Sequence, residues 1–448
     1  MTPKPASLPP RRPGPAERLA EAALGAPGPL RRAAGRAAAR KGLHAHALAC
    51  APEDGYVLAR AGFFEQAAEL SKPGTAGWLG AVAGLGRIDL LTDADARLDD
   101  ADRRWIAGLA AAWDAGAALE VLGEAMIAER AACLLALDRT EEAEALLRQG
   151  AVNPESTLLS AAILAGRGDH LAARLSINTA FHGQHLPSPL TQPPEGPIRL
   201  SEFSAPGQHA LIDGPLVSVI VAARDAATTL PFAVASLLKQ TWTSLEVLVV
   251  DDGSTDRTRA IAKGLARADE RVRCLVGGKA AGASAARNLG MEQATGAFIT
   301  FHDADDWAHP FRIAEQVEAA AADGRIASVA KHFRFAADGA PVSPRVFPMI
   351  RLCPISMLIR ADAARAAGPL EEEPVGADSE YLARLDLLFG RPSVVRLNRL
   401  HIVAGWAGSS LSGAHATGLA SAEGRALREA YERDWRVRHA ERLREMVG

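Results

Sequence analysis

The chain has 448 residues, of which 48% are hydrophobic and 23% are charged, and its formal net charge is −3. This length predicts two or three domains, and the near-neutral charge gives no electrostatic reason to expect nucleic acid or an anionic membrane as a partner. The four cysteines lie far apart and form no C-x-x-C pair. This pattern argues against a zinc site and a disulfide framework, and it favours a reducing, cytoplasmic location.

The N-terminal part predicts a short disordered segment followed by helices. Residues 1–15 are rich in proline, so we expect them to be disordered and to be neither a signal peptide nor a membrane span. Residues 16–182 carry Ala and Leu at helical spacing. Three segments there repeat an amphipathic helix pair around a Gly/Asp/Arg turn: 58–70, 135–147 and 164–175. They resemble degenerate tetratricopeptide-type hairpins, and a plain helical bundle is the alternative because no strict repeat of about 34 residues is present. Either would be a surface for a protein partner.

The pattern changes after residue 182. Residues 183–214 are rich in Pro and Gly without periodicity, which is typical of an interdomain linker. Over residues 215–448, apolar β-branched runs alternate with helical patterns. The predicted strands are 216–223, 245–250, 272–276 and 297–301. Strands that alternate with helices of this length predict βαβ units around a mainly parallel sheet, so the predicted fold class is α/β.

Polar residues follow three of these strands at the carboxyl ends, where ligands bind in such sheets. Asp225 follows the first strand, and Asp252 with Gly253 follows the second. The last strand runs into three carboxylates: Asp303, Asp305 and Asp306. Like charges this close repel one another unless a cation lies between them. Mg²⁺ or Mn²⁺ is often held by one or two carboxylates plus substrate phosphates, so the stretch predicts a metal site. The alternative is a polar turn that caps the next helix.

Three motifs in this order have a family resemblance: "VSVIVAARDAATTL" with "DDGSTD", "GASAARNLG" with "FITFHDADDW", and "GADSEY". They resemble the motifs of inverting glycosyltransferases of family 2, which have the GT-A fold, and the resemblance covers about residues 210–405. It implies an enzyme that transfers a sugar from a UDP-sugar to a glycan or lipid-linked acceptor in surface-polysaccharide synthesis. It also implies Mn²⁺ or Mg²⁺ as the cofactor.

The resemblance further implies roles for individual residues. Asp378 matches the catalytic base, and Asp252 matches the residue that accepts from the uracil N3–H. Asp303 and Asp305 match the carboxylates for the cation and the sugar nucleotide, with Asp306 as an adjacent ligand. The positions that match nucleotide-binding segments are Ala223, Asp225, Asp252, Gly282, Arg287, Asn288 and Asp303.

Structural alternatives exist for three of these residues. Asp252 could cap a turn, Arg287 could pair with a helix neighbour, and Asp378 could be the N-cap of the next helix. The chain also departs from the family pattern at two places. Ala377 stands where a Glu is common before the base, and the first strand ends in "AARD", which puts base contacts there in doubt.

Three other functions are compared with the sequence: an inactive scaffold, a nucleotidyltransferase and a processive synthase. One alternative is an inactive glycosyltransferase-like scaffold that acts through its helical domain. A nucleotidyltransferase is disfavoured because no Gly-rich phosphate loop with a Lys follows the first strand, and a processive synthase is disfavoured because no QxxRW motif is present.

An acceptor-side loop is predicted from His401, Trp406, Ser410 and Ser412, with core packing as the alternative for Trp406. The charged C-terminal helix is expected to be solvated, or at most to associate peripherally with the inner membrane.

Overall fold

The structure is a computed structural model that describes residues 8–91, 98–191, 196–205, 210–278, 281–407, 413 and 416–447. The predicted acceptor-side residues Ser410 and Ser412, and the first seven residues of the predicted disordered segment, lie outside this description. The chain divides into two compact units. The sheet unit comprises Met1–Arg12, Leu164–Val342 and Ile350–Ala407. The helical unit comprises Pro13–Ile163, Ser343–Met349 and Gly408–Gly448.

Helices and strands alternate in the C-terminal half only. The helices are α1 (Pro15–Ala22), α2 (Gly28–Arg40), α3 (His44–Cys50), α4 (Gly55–Arg60), α5 (Phe64–Leu70), α6 (Ala76–Gly84), α7 (Asp100–Ala110), α8 (Ala115–Val121), α9 (Ile127–Ala136), α10 (Thr140–Gln149), α11 (Pro154–Gly166), α12 (His170–His182), α13 (Leu230–Leu238), α14 (Thr258–Ala268), α15 (Ala283–Gln293), α16 (Arg312–Ala321), α17 (Ala361–Ala367), α18 (Ala377–Phe389) and α19 (Ala422–Val447). The strands are β1 (Val217–Ala223), β2 (Leu245–Asp251), β3 (Val272–Val276), β4 (Phe298–Asp303), β5 (Asp306–Ala308), β6 (Ala327–Ala336), β7 (Pro341–Val342), β8 (Arg351–Leu352), β9 (Leu358–Arg360) and β10 (Val394–Trp406). None of the described helices is long and apolar enough to cross a membrane.

In the helical unit, helices that follow one another in the chain pack side by side, from α4 to α10. Small residues allow these short helices to approach closely. A Cβ added to Gly80 would lie 2.1 Å from the Trp105 ring, so only glycine permits that contact. The closing helix α19 packs on α3, and Arg444 donates to the carbonyl oxygen of Leu48 at 3.0 Å. This helix therefore lies in the helical unit, whereas the predicted sheet domain extended to residue 448.

The sheet unit is built on a mixed sheet of ten strands in the described residues, which confirms the α/β class. The strand order is β3-β2-β1-β4-β9-β6-β10-β5, with β7 and β8 paired to β6. The first four strands are parallel, and their register aligns Ala223 with Asp251 and Ala222 with Asp303. The carboxyl ends of β1, β2 and β4 therefore meet at one edge of the sheet. Both faces are covered, since Val219 packs towards α13 and α16 and Ile220 packs towards α15 and α18.

The sheet unit also includes residues that precede its first strand. Phe181 on α12 stacks on His309 with ring centroids 5.8 Å apart. Phe203 contacts Trp307 and Phe335 with centroids 5.7 Å and 5.2 Å apart. The predicted linker thus contains buried apolar side chains, including Leu186 and Ile198. Because these residues follow no period of 2 or 3.6, the sequence pattern did not indicate their burial.

Candidate active site

Three acidic side chains lie where β4 ends and β5 begins. Asp303 is the last residue of β4, and Asp306 is the first residue of β5, which pairs antiparallel with β10. The backbone N–H of Gly405 on β10 donates to Asp306 Oδ1 at 3.1 Å. A Cβ on Gly405 would lie 2.5 Å from the carbonyl oxygen of Asp305. Glycine at position 405 therefore lets β10 pack closely against residues 303–306, which we call the acidic turn.

These three carboxyl groups have different electrostatic environments. Burial, and then the charge of Asp303, raise the pKa of Asp305 to about 6. Burial and the charges of Asp305 and Asp303 raise the pKa of Asp306 well above its usual value. Burial also opposes ionisation of Asp303, but the Arg287 guanidinium outweighs it and lowers the pKa of Asp303. Asp303 is thus ionised at neutral pH, and a cation beside Asp305 and Asp306 would favour their ionised forms.

Two arginines face this acidic turn from different elements. Arg287 on α15 donates from Nη2 to Asp303 Oδ1 at 2.7 Å. The helix-neighbour alternative for Arg287 is therefore wrong. Arg334 on β6 lies near enough to contribute to lowering the pKa of all three carboxyl groups, and its guanidinium lies 5.3 Å from the centre of the Trp406 ring. Arg334 could not be predicted as a site residue from the sequence, because only the long-range pairing of β6 with β10 brings it to the site.

The loop after β2 holds Asp252 beside the start of α15. Its carboxylate accepts the backbone N–H of Ala281 at 2.8 Å and of Gly282 at 3.0 Å. Gly282 is the N-cap of α15 and has φ +101°, which glycine adopts without strain. The backbone N–H of Asp252 donates to the Ala223 carbonyl oxygen at 2.9 Å. Ala223, Asp252 and Gly282 are thus brought together, and the Asp252 carboxylate holds the two residues that lead into α15.

The Asp225 carboxylate links the loop after β1 to the loop after β2. Its Oδ1 accepts the backbone N–H of Thr255 at 2.7 Å and of Asp256 at 3.3 Å, and these bonds, that of Thr255 foremost, lower the pKa of Asp225. Asp256 in turn accepts the backbone N–H of Ala227 at 3.1 Å. The carboxylate of Asp225 therefore fixes the relative position of the loops after β1 and β2.

The Asn288 side chain is hydrogen-bonded to a backbone segment that precedes α18. Its amide donates to the Leu370 carbonyl oxygen at 2.9 Å and accepts the Leu370 N–H at 2.9 Å. Both ends of the amide are thus engaged with one residue. Leu370 precedes α18, so Asn288 holds the segment that leads to the predicted base.

Asp378 is the second residue of α18. The N-cap of this helix is Gly376, with φ +82°, so the N-cap alternative for Asp378 is wrong. Asp378 is partly buried and accepts the N–H of Ser379 at 2.9 Å. Its neighbour Glu380 is buried and pairs with Arg384, with Nε to Oε1 at 2.9 Å. Glu380 is therefore engaged in a structural ion pair, and Asp378 is the more accessible carboxylate at this helix end.

The donor chemistry of the acidic turn suits a divalent cation with external ligands. Among the residues that the structure describes, no group of three or more His, Cys, Asp or Glu side chains could by itself hold a metal ion. Carboxylate oxygens are hard ligands that suit Mg²⁺ or Mn²⁺, and a nearby cation would favour the charged form of Asp305, whose pKa is raised. A divalent cation beside Asp303, Asp305 or Asp306 would therefore need further ligands from a phosphorylated substrate.

Comparisons with known proteins show that part of the chain is similar to glycosyltransferases. Residues 218–360 match the family model described as "Glycosyl transferase family 2". Over 94 residues the chain is 45% identical to "Uncharacterized glycosyltransferase YibD" of Escherichia coli K12, a match that covers 21% of this chain and 27% of that protein. Over 95 residues it is 42% identical to "UDP-Glc:alpha-D-GlcNAc-diphosphoundecaprenol beta-1,3-glucosyltransferase WfgD" of Escherichia coli, covering 21% of this chain and 37% of that protein.

A solved structure is also similar to part of the chain. This is S. aureus TarS 1–349 in complex with UDP-GlcNAc, with 21% identity and a TM-score of 0.35 over 43% of this chain and 59% of that chain. The chain thus covers well under two thirds of each relative named here. The matched family segment contains β1 to β4, the acidic turn and both loops at the strand ends. Residues 218–360 are therefore similar to glycosyl transferase family 2.

Proposed function

We propose that this protein is a metal-dependent, inverting glycosyltransferase that moves a sugar from a UDP-sugar to a glycan or lipid-linked acceptor in surface-polysaccharide synthesis. The observation that carries this proposal is the acidic turn at Asp303–Asp306, next to the ends of β1 and β2, with Arg287 bonded to Asp303. The names of two relatives support the donor and acceptor class. WfgD and WfaP of Escherichia coli are each named for a UDP-Glc donor and a diphosphoundecaprenol acceptor.

In this proposal the acidic turn is the DxD motif of the family, and it binds the donor diphosphate. Asp303, Asp305 and Asp306 would hold Mn²⁺ or Mg²⁺, which supplies charge neutralisation for the departing diphosphate when bound. Arg287 and Arg334 contribute two fixed positive charges at the same turn. Preorganised charges of this kind stabilise the negative charge that develops in the transition state.

The nucleotide would lie along the ends of β1 and β2. The Asp252 carboxylate already accepts two backbone N–H groups, but a carboxylate has about four acceptor positions. It therefore keeps the capacity to accept the uracil N3–H. Asp225 and Asn288 would act indirectly, by fixing the loops and the segment before α18, while Gly282 shapes the start of α15.

Asp378 is the proposed general base. It would accept the proton of the acceptor hydroxyl while that oxygen forms a bond to the anomeric carbon. The bond from the anomeric carbon to the diphosphate oxygen breaks in the same displacement, and the electron pair leaves with UDP. Attack opposite to the leaving group inverts the anomeric centre. Ala377 stands where the family commonly has a Glu, so the proposed base has no second carboxylate directly before it in the chain.

The helical unit would recruit a partner, and its side-by-side helices from α4 to α10 support a tetratricopeptide-like arrangement. A cytoplasmic location remains a prediction from the unpaired cysteines.

A donor screen tests the proposal. The protein would be incubated with a panel of UDP- and GDP-sugars in the presence of Mn²⁺, and release of the nucleoside diphosphate would be measured. We expect UDP release from at least one UDP-sugar and none after addition of EDTA. The scaffold alternative predicts no release from any donor.

A further inference from the structure

A groove of about 680 Å³ opens in the helical unit between α2 and the starts of α4 and α6. We call it the α2 groove. Its polar and glycine lining includes Arg36, Arg40, Tyr56, Lys72, Thr75 and Gly77.

The cationic side chains of the groove are exposed, whereas their acidic partners are buried behind them. Arg36 donates from Nε to Asp54 Oδ2 at 2.8 Å, and the two side chains are 60% and 2% exposed. Arg40 lies one helical turn further along α2 and donates to Asp102 at 3.2 Å, with exposures of 53% and 3%. A ligand in the groove would therefore meet guanidinium N–H groups and would not meet these two carboxylates.

A buried network fixes the orientation of Arg40 and Tyr56. Asp102 accepts from the Tyr56 hydroxyl at 2.7 Å and from Arg60 Nη2 at 2.6 Å, in addition to Arg40. The Tyr56 hydroxyl also accepts from Arg40 Nε at 3.3 Å. Because these groups hold one another, Arg40 loses little conformational freedom when its outer N–H groups bind an anion.

Glycine near the start of α6 lets this helix pack closely against α4 at the floor of the groove. A Cβ on Gly77 would lie 3.0 Å from the backbone nitrogen of Tyr56 and from Ser71 Oγ. Lys72 is exposed at the groove edge and adds a third positive charge. The groove thus combines two arginines one turn apart with a lysine.

We propose that the α2 groove binds a diphosphate group. Arginine forks bind phosphoryl oxygens through paired N–H groups, and side chains four residues apart on a helix are separated by about 5–6 Å at their Cβ atoms. Arg36 and Arg40 would each bind one of two linked phosphoryl groups, and Lys72 would bind from the opposite side. A soluble diphosphate and the diphosphate of a lipid-linked acceptor share this chemistry. The second source rests on the proposed function, and the first does not.

Calorimetry with inorganic diphosphate, in EDTA and on the full chain, tests the proposal. We expect the double variant Arg36→Gln/Lys72→Gln to bind at least about tenfold more weakly than the wild type. The control is Arg32→Gln, which removes one positive charge, against two in the double variant, from an exposed position on α2 outside the groove lining. Its affinity should stay within about twofold of the wild-type value. Equal affinity in the double variant, or no binding by the wild type, would overturn the proposal.

Two further variants separate this groove from the candidate active site. Asp99 is the half-exposed acid that pairs with Arg40 at 3.4 Å, and Asp99→Asn keeps its capping bond to the Asp102 N–H. This variant should bind diphosphate more tightly, since a competing negative charge is removed. Asp305→Ala should bind diphosphate like the wild type in EDTA. Tighter binding by Asp305→Ala, which lacks a negative charge at the acidic turn, would place the ligand there, which contradicts the groove proposal and leaves the proposed function standing.

Sedimentation with vesicles distinguishes the two sources. One set would be phosphatidylcholine with a polyprenyl diphosphate, and the other phosphatidylcholine alone. Cosedimentation with the diphosphate vesicles that is lost in the double variant supports a lipid-linked ligand. Retained cosedimentation in the double variant would contradict a role for the groove in lipid-linked binding.

Discussion

The guanidinium of Arg287 lies 2.7 Å from the carboxylate of Asp303, and this contact joins α15 to the acidic turn. The next residue along α15, Asn288, binds both backbone polar groups of Leu370. Two consecutive residues of one helix therefore hold the acidic turn on one side and the segment before α18 on the other. We infer that α15 sets the position of the proposed base relative to the proposed cation site.

The first prediction concerns divalent-cation dependence of UDP binding. Asp305→Ala removes a buried carboxylate that is expected to bind the cation, so its UDP affinity should be low with or without EDTA. The wild type should lose affinity when EDTA is added. Calorimetry measures the UDP affinity of both proteins with and without EDTA. Asp323→Ala is the control, because Asp323 is 96% exposed and pairs with Arg12. Equal UDP affinity for wild type and Asp305→Ala in both conditions would contradict the metal site.

The second prediction concerns the base. Asp378→Asn keeps the side-chain shape but cannot accept a proton, so kcat should fall by about 10²–10⁴. The Kd of the UDP-sugar should hardly change, because the base acts on the acceptor. The melting temperature controls for folding. Full activity in a folded Asp378→Asn variant would remove this residue from the mechanism.

The third prediction tests whether Asn288 binds the nucleotide or positions a segment. Asn288→Ala leaves the polar groups of Leu370 without their side-chain partner, which costs about 1–3 kcal/mol of unfolding free energy if they remain buried. We expect a lower melting temperature and a lower kcat with an unchanged UDP Kd. A large rise in UDP Kd without a change in melting temperature would instead indicate direct nucleotide contact.

Local patterns were sufficient to predict the parallel strands of the sheet and the acidic turn. The residues of β1 and of the acidic turn are identified by contiguous apolar runs and by carboxylates that follow them directly. Arg334 was missed because its position at the site depends on the pairing of β6 with β10, and those strands are far apart in the chain. Sequence spacing carries no information about such pairing.

The extent of the sheet unit was also harder to predict than its strands. Pro and Gly in the segment before β1 suggested a linker, whereas Phe203 there is buried against Trp307. A few isolated aromatic residues can anchor an irregular segment without any periodic pattern. The same limitation applies to α19, whose arginines suggested a solvated helix although Trp435 and Leu443 are buried.

The fourth prediction tests this anchoring. Phe203→Ala should reduce the free energy of unfolding by about 3–5 kcal/mol, as expected for a buried phenylalanine. Phe232→Ala is the matched control, since Phe232 is 49% exposed on α13. Chemical denaturation measures both variants. Similar small losses for the two would show that Phe203 does not anchor the segment.

The fifth prediction concerns pH and Glu246, a buried carboxylate on β2. Burial opposes ionisation of Glu246, but bonds from Ser218, Thr295 and Arg273 together lower its pKa below the usual value of 4.5. A lowered pKa in the folded state means that Glu246 stabilises the fold above pH 4.5, and that this contribution is lost as the pH falls through the folded pKa. Glu246→Gln should therefore be less stable than the wild type at pH 7.

The difference in stability between these two proteins should shrink as the pH is lowered below about 4.5. Denaturation at pH 7, 5 and lower values measures it. The bond from the Thr295 N–H to Glu246 Oε1, at 2.8 Å, is one of the interactions that the charge of Glu246 strengthens. A difference that stays constant with pH would show that the charge of Glu246 does not contribute.

The measurement that tests the central claim most directly is UDP release from the preferred UDP-sugar by wild type and Asp305→Ala, with Mn²⁺ and with EDTA. We predict release only by the wild type with Mn²⁺, because the acidic turn and a cation are both needed to neutralise the departing diphosphate. Equal release by the two proteins, or release that persists in EDTA, would contradict a metal-dependent reaction at Asp303–Asp306.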